Sequence, residues 1–113
     1  MINRRIRDVL TDPRVGCPAH QFMAPEGASY PHTVYNFVYD RPDQHEEGVE
    51  TVQISEVQVD IYHGGNYNDL LNTIKTVAKE KGFHIGIGWG RYDQAIKMPY
   101  YTLRLLKEIE NGY

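Results

Sequence analysis

Residues Val49–Gly82 read VETVQISEVQVDIYHGGNYNDLLNTIKTVAKEKG. Val57, Val59 and Ile61 alternate with Glu56, Gln58 and Asp60, the period of a half-buried strand. Leu70, Leu71, Ile74, Val77 and Ala78 then recur at helical spacing and form one apolar stripe. Asn66, with Asp69 three residues on, marks the expected helix start. Lys79, Lys81 and Gly82 mark its end, the glycine at the position after the cap. A strand and a helix that each bury one face predict a helix laid across a sheet.

The strand contains an oddity. Val52 and Ile54 are on one parity, whereas Val57, Val59 and Ile61 are on the other. Successive side chains point to opposite faces, so the apolar side changes near Ser55. A bulge at that point is the simpler expectation. The alternative is a strand whose first half runs past the core and meets something else.

Outward from this unit, INRRIRDVL reads as a short amphipathic helix. Ile2, Ile6, Val9 and Leu10 share a face, and Asp12-Pro13 ends it. Alone it is too short to be stable, so it is expected to dock on the sheet. Val15–Met23 contains Pro18, which limits it to an edge strand or an extended segment. APEGAS, residues 24–29, is a loop. Tyr30–Asp40 is a strand with apolar groups on both sides, as expected of a central strand or one covered on both faces.

Arg41–Gly48, RPDQHEEG, is a polar, acidic loop expected to be mobile in an isolated monomer. In FHIGIGWGRYD, Phe83, Ile85, Ile87 and Trp89 alternate with His84, Gly86, Gly88 and Gly90. That pattern predicts one large apolar face and one of nearly bare backbone, where another group approaches closely. Phe83–Gly90 and Pro99–Leu106 form an expected hairpin, and the tail EIENGY is expected to fray. The fold expectation is a single α+β domain over residues 1–113. It has an antiparallel-rich sheet of four to five strands, an N-terminal helix and one longer helix packed on it.

Composition narrows the function classes. At 113 residues one domain is the default, and 41% hydrophobic content argues against disorder throughout. A net charge of −3 argues against a nucleic-acid binder that works through a broad basic surface. Its one basic cluster, Arg4, Arg5 and Arg7, most simply solvates the outer face of a docked helix. Cys17 is the one cysteine, so no internal disulfide forms, and a small buried or edge thiol is expected. No apolar run has the length of a membrane span, and the amino terminus lacks a signal-peptide core. A soluble protein made in the cytoplasm is expected.

Chemistry is largely missing from the pattern. GIGWG sits inside an apparent strand followed by another strand, not before a helix, so a phosphate loop is disfavoured. His20, His32, His45, His63 and His84 have no zinc spacing. His63-Gly64-Gly65 sits at a strand end with no visible nucleophile nearby. Glu46, Glu47 and Glu50 read as solvated charges rather than an acid/base pair. No catalytic, metal-binding or cofactor-binding residue is expected, and no cofactor. The nine tyrosines, the apolar-face switch, the glycine-lined strand and the acidic loop are features of a protein that works by contact.

The order of parts resembles the small siphophage and prophage tail-completion proteins, the tail-terminator and head–tail joining family. The leading helix INRRIRDVL, the strand and acidic loop VYNFVYDRPDQHEEG, VQVDIYHGGNYNDLLNTIKTVAKEKGF, and the closing hairpin GIGWGRYDQAIKMPYYTLRLL carry the resemblance. It implies a virion structural protein that forms a ring, commonly of six subunits, at the head-proximal end of a tail tube. The implied partners are copies of itself, the tail-tube protein and the head connector proteins, with no membrane and no sequence-specific nucleic acid. A head-side connector stopper and a small ligand-binding or hydrolytic α+β domain are the alternatives. A ring needs two different patches per subunit. Arg41, Asp43, Gln44, Glu46, Glu47, Val52 and Ile54 are the candidate interface residues.

Overall fold

A computed structural model describes residues 2–42 and 52–110. The elements in chain order are α1 (Ile2–Leu10), β1 (Ala19–Gln21), β2 (His32–Pro42), β3 (Val52–Tyr62), α2 (Asn68–Glu80), β4 (His84–Asp93) and β5 (Met98–Glu110). The five strands form one mixed sheet in the order β1-β2-β3-β5-β4, so the fold is α+β as expected. β1 runs parallel to β2 at the edge, and every other pairing is antiparallel. Chain segment β3-α2-β4 is a crossover whose two strands are separated by β5, a split βαβ unit.

Both helices lie on one face. Val57, Val59 and Ile61 of β3 and Leu103 and Leu105 of β5 point inward. They meet Ile6, Val9 and Leu10 of α1 and the predicted stripe Leu70, Leu71, Ile74, Val77 and Ala78 of α2. α1 therefore docks as its amphipathic pattern requires. The end of α2 follows from Gly82, whose φ of +91° only glycine adopts without strain. Its N–H donates to Lys79 O at 3.1 Å and that of Phe83 to Ala78 O at 2.9 Å, a Schellman cap closed by the buried Phe83. At the other end Tyr67, not Asn66, holds the cap position. Asn66 Oδ1 instead accepts from the Asn68 N–H at 2.8 Å, a turn that leads into the helix.

Several expectations are corrected. β3 has no bulge: it pairs with β5 without a break from Val52 to Tyr62. The irregularity lies in its neighbour, where Phe37 faces Val57 and Tyr39 faces Glu56, leaving Val38 as the extra residue. The parity switch in β3 is therefore real. Ser55 stays on the buried helical side, and Ile54 turns to the other face. β2 runs on to Pro42 and β5 to Glu110, so neither the acidic loop nor the fraying begins where expected. β4 is bulged as well. Gly86 and Ile87 lie between the Ile85–Leu105 and Gly88–Leu103 pairs, opposite Arg104 alone. The bulge splits the apolar set: Phe83 is buried and Ile85 packs against the core, but Ile87 and Trp89 emerge on the open face, 75% and 41% exposed. Gly88 and Gly90 then face the helices. Backbone approach is close there, since a Cβ on Gly88 would stand 2.6 Å from Tyr101 Oη.

Candidate functional site: the open face of the sheet

With α1 and α2 on one side, the other side of the sheet is covered by no helix among the described residues. Its side chains are set by register. His32, Tyr62, Tyr100 and Arg91 are successive cross-strand partners on β2, β3, β5 and β4. Each therefore stands beside the next on one face. The rings stack: Tyr30 on His32 at 4.9 Å between centroids, His32 on Tyr62 at 5.1 Å, Tyr62 on Tyr100 at 4.7 Å. The Arg91 guanidinium lies over Tyr100 at 5.6 Å and completes the row. His32 is almost fully buried within it, and its Nδ1 lies 2.9 Å from Ser29 O. A carbonyl only accepts, so that nitrogen carries the proton.

The next rows are polar. Thr102 faces Asp60 and donates to its Oδ1 at 2.8 Å, and Gln58 Nε2 donates to the same oxygen at 3.3 Å. Burial pushes the Asp60 carboxyl above its ordinary pKa, with the two hydrogen bonds opposing. Farther along, Arg104 and Glu56 form an ion pair diagonally across β3 and β5. Ile87, Trp89, Leu106 and Gly86 surround that pair in a shallow hollow of about 370 Å³.

At the aromatic end, the loop after β1 folds over the sheet and makes a cleft of about 530 Å³. Tyr30, His32 and Tyr62 line it, with Asp60, Asp93 and Glu26. Burial is the first cause, and the neighbouring Asp60 the second, that raise the Tyr62 phenol to about 12. Phe22 and Met23, at the cleft edge, are 68% and 75% exposed. Phe22 holds a φ of +73°, a left-handed conformation costly for an aromatic residue, while its N–H donates to Tyr35 O at 3.0 Å.

Of the candidate interface residues, three fall in described strands. Arg41 pairs with Ile54, and Val52 pairs with Glu110, so these positions gather at the end of a three-stranded arm of β2, β3 and β5. β1 reaches only Tyr35 of β2, and β4 only Leu106 of β5. Among the described residues both outer edges of that arm lack a strand partner. Such edges are templates for pairing with another chain. Asp43, Gln44, Glu46 and Glu47 lie outside the described residues, as does most of the expected mobile loop.

The residues that would have argued for catalysis are not gathered. His63 follows β3 beside the Tyr62–Tyr100 pair, whereas His84 pairs with Leu106. Six β5 residues separate those levels (100 to 106), roughly 20 Å. His63 Nδ1 accepts from the Gly65 N–H at 3.1 Å, and His84 Nε2 lies 3.7 Å from Glu108. Among the described residues no three His, Cys, Asp or Glu side chains are placed to hold a metal ion. Cys17 is half-buried against the core, and burial pushes its thiol pKa up. The aromatic row and the cleft escaped sequence reasoning because each depends on register between strands far apart in the chain.

No family model and no curated protein sequence matches the chain. Solved structures do match. One is a chain from the virion of a native gene transfer agent (GTA) particle, with a TM-score of 0.53 and 11% sequence identity. The likeness covers 97% of this chain and 92% of that one. At that identity it speaks to the fold, which the two chains share over nearly their whole lengths.

Proposed function

We propose that this chain is a structural component of a phage or prophage virion. In this reading it caps the tail tube and joins tail to head as a ring of subunits, six on assembly. The observation that carries it is the whole-length fold likeness to a component of a gene transfer agent virion. The open face suits work by contact. Ile87, Trp89, Phe22 and Met23 are large apolar side chains held in water. The arm that carries Arg41, Val52 and Ile54 adds strand edges that lack a partner among the described residues. The tail-tube protein and the head connector are the partners on either side of the ring. The chain 1–113 acts as one such domain, and Asp43, Gln44, Glu46 and Glu47 take part in the contact between subunits.

The test is reconstitution. Purified protein is added to tail tubes from particles that lack it, and the tube ends are imaged. Rings at one end and restored joining to heads are expected; bare ends and no joining would overturn the reading. Deleting Asp43–Glu47 should leave the circular dichroism of the monomer unchanged and abolish the rings. Normal rings from the deleted chain would remove the loop from the interface.

A further inference from the structure

The cleft on the open face and the outer surface of α1 are complementary in charge and opposite in position. Three carboxylates line the cleft: Glu26, Asp60 and Asp93. Its lining holds no lysine or arginine. Among the described residues no ion pair engages those three carboxylates. Stacked Tyr30, His32 and Tyr62 stand beside them. Carboxylates without a cationic partner make a surface that attracts guanidinium groups by charge and by paired hydrogen bonds.

This chain carries such groups. Arg4, Arg5 and Arg7 are exposed on α1, with Asp8 beside them, a net charge of +2. Ile6, Val9 and Leu10 hold the helix to the sheet by its other side, so the arginines face away from the core. α1 lies on the helical layer and the cleft on the open face. One chain cannot bring its own two patches together across the sheet. Two chains can, and the contact is then head to tail, the heterologous kind that closes into a ring or runs on as a filament.

We propose that the cleft of one subunit receives the arginine-bearing face of α1 from a second copy of this chain. This rests on the ring reading above and names the contact that closes the ring. Charges on both sides bring the subunits together and make the association weaken with salt. Apolar Met23 and Phe22 at the cleft edge then cover the aliphatic stems of the arginines.

Two full-length variants test it. Arg4→Gln with Arg7→Gln spoils the helix face. Met23→Lys with Glu26→Lys spoils the cleft through two exposed loop positions that anchor no core. Circular dichroism and thermal melts establish that both fold. In sedimentation velocity, the wild type is expected to self-associate, at least tenfold more weakly at 0.5 M than at 0.05 M salt. Each variant alone is expected to stay monomeric. An equimolar mixture is expected to form a one-to-one complex and nothing larger, because one intact helix face meets one intact cleft. Association of either variant like wild type, or a mixture that forms no complex, overturns the proposal. The tail-tube assay separates that failure from failure of the ring reading: wild-type rings on tubes would leave the ring standing with its contact elsewhere, and bare tubes would remove the ring itself.

Discussion

Thr102 Oγ1 donates to Asp60 Oδ1 at 2.8 Å across the β3–β5 ladder, on the side of the sheet opposite α1 and α2. Asp60 is a half-buried carboxylate held by neutral donors, and among the described residues no ion pair includes it. Burial raises its pKa in the folded chain above 3.8, the value taken for the unfolded one. The folded state therefore binds the proton more tightly, and stability falls as pH rises through the window above 3.8. Asp60→Asn keeps an oxygen for Thr102 and cannot ionise. Urea melts should show the variant gaining on the wild type between pH 3.5 and pH 7. A constant difference across that range would mean the carboxylate is not destabilising when charged.

Asp12 carries the opposite sign. Its carboxylate accepts from the Arg14 side chain at 3.0 Å and from the Arg14 backbone N–H at 2.9 Å. Those bonds, the side-chain one first, lower its pKa to about 2. Arg14 also reaches Glu80 at 2.8 Å and so joins the end of α1 to the end of α2. The stability from Asp12 is present above pH 3.8 and is lost as pH falls from there through about 2. Asp12→Asn should flatten the acid side of a melting-temperature profile between pH 4 and pH 2. The surface position keeps the effect small. An acid limb that matches wild type would show that Arg14 does not hold the carboxylate in solution.

The contrast between α2 and β4 shows which parts of the fold are local. Leu70, Leu71, Ile74, Val77 and Ala78 declare a helix and its buried side without help from other segments, because helical period is a property of the segment alone. In β4 the same reasoning misassigned Ile87 and Trp89. A bulge shifts every later side chain to the other face, and only the opposing residue, Arg104, reveals it. The switch in β3 can be read from parity, with Ser55 on one side and Ile54 on the other. That β3 is unbroken, and that the bulge lies at Val38 of β2, can be read only from the partner strands. The site follows this rule more severely. Tyr30, His32, Tyr62, Tyr100 and Arg91 span 71 positions of sequence (30 to 100), and only register makes them neighbours. Their types are ordinary for strands, so nothing local marks them as a row.

Gly88 offers a packing test on the helical side. A Cβ there would lie 2.6–2.9 Å from the ring of Tyr101, and Tyr101 is itself set against Tyr67 at 5.6 Å. Gly88→Ala must push that ring away from the strand. The expected loss is about 1–3 kcal/mol, the usual cost of overpacking. Gly64→Ala is the control, since its nearest neighbour is an ordinary contact at 3.7 Å from Tyr30 Cβ. Chemical denaturation of both variants checks the pair. Equal stabilities would mean that Tyr101 moves aside freely and that the glycine is not needed for its approach.

Ile87 and Trp89 separate folding from assembly. Both were displaced from the core side by the β4 bulge, so their apolar area is exposed in the isolated chain. Ile87→Ser removes a side chain that is 75% exposed and should change folding stability by no more than about 0.5 kcal/mol. If the open face meets a partner, the same change should weaken assembly, because apolar area buried only in the complex is then lost. Trp89 supplies the readout, being the one tryptophan in the chain. Its emission should shift to shorter wavelength as subunits assemble, since water leaves the indole on that face. Assembly with an unmoved emission maximum, and with Ile87→Ser behaving as wild type, would leave this part of the face wet and move the contact toward the arm of β2, β3 and β5.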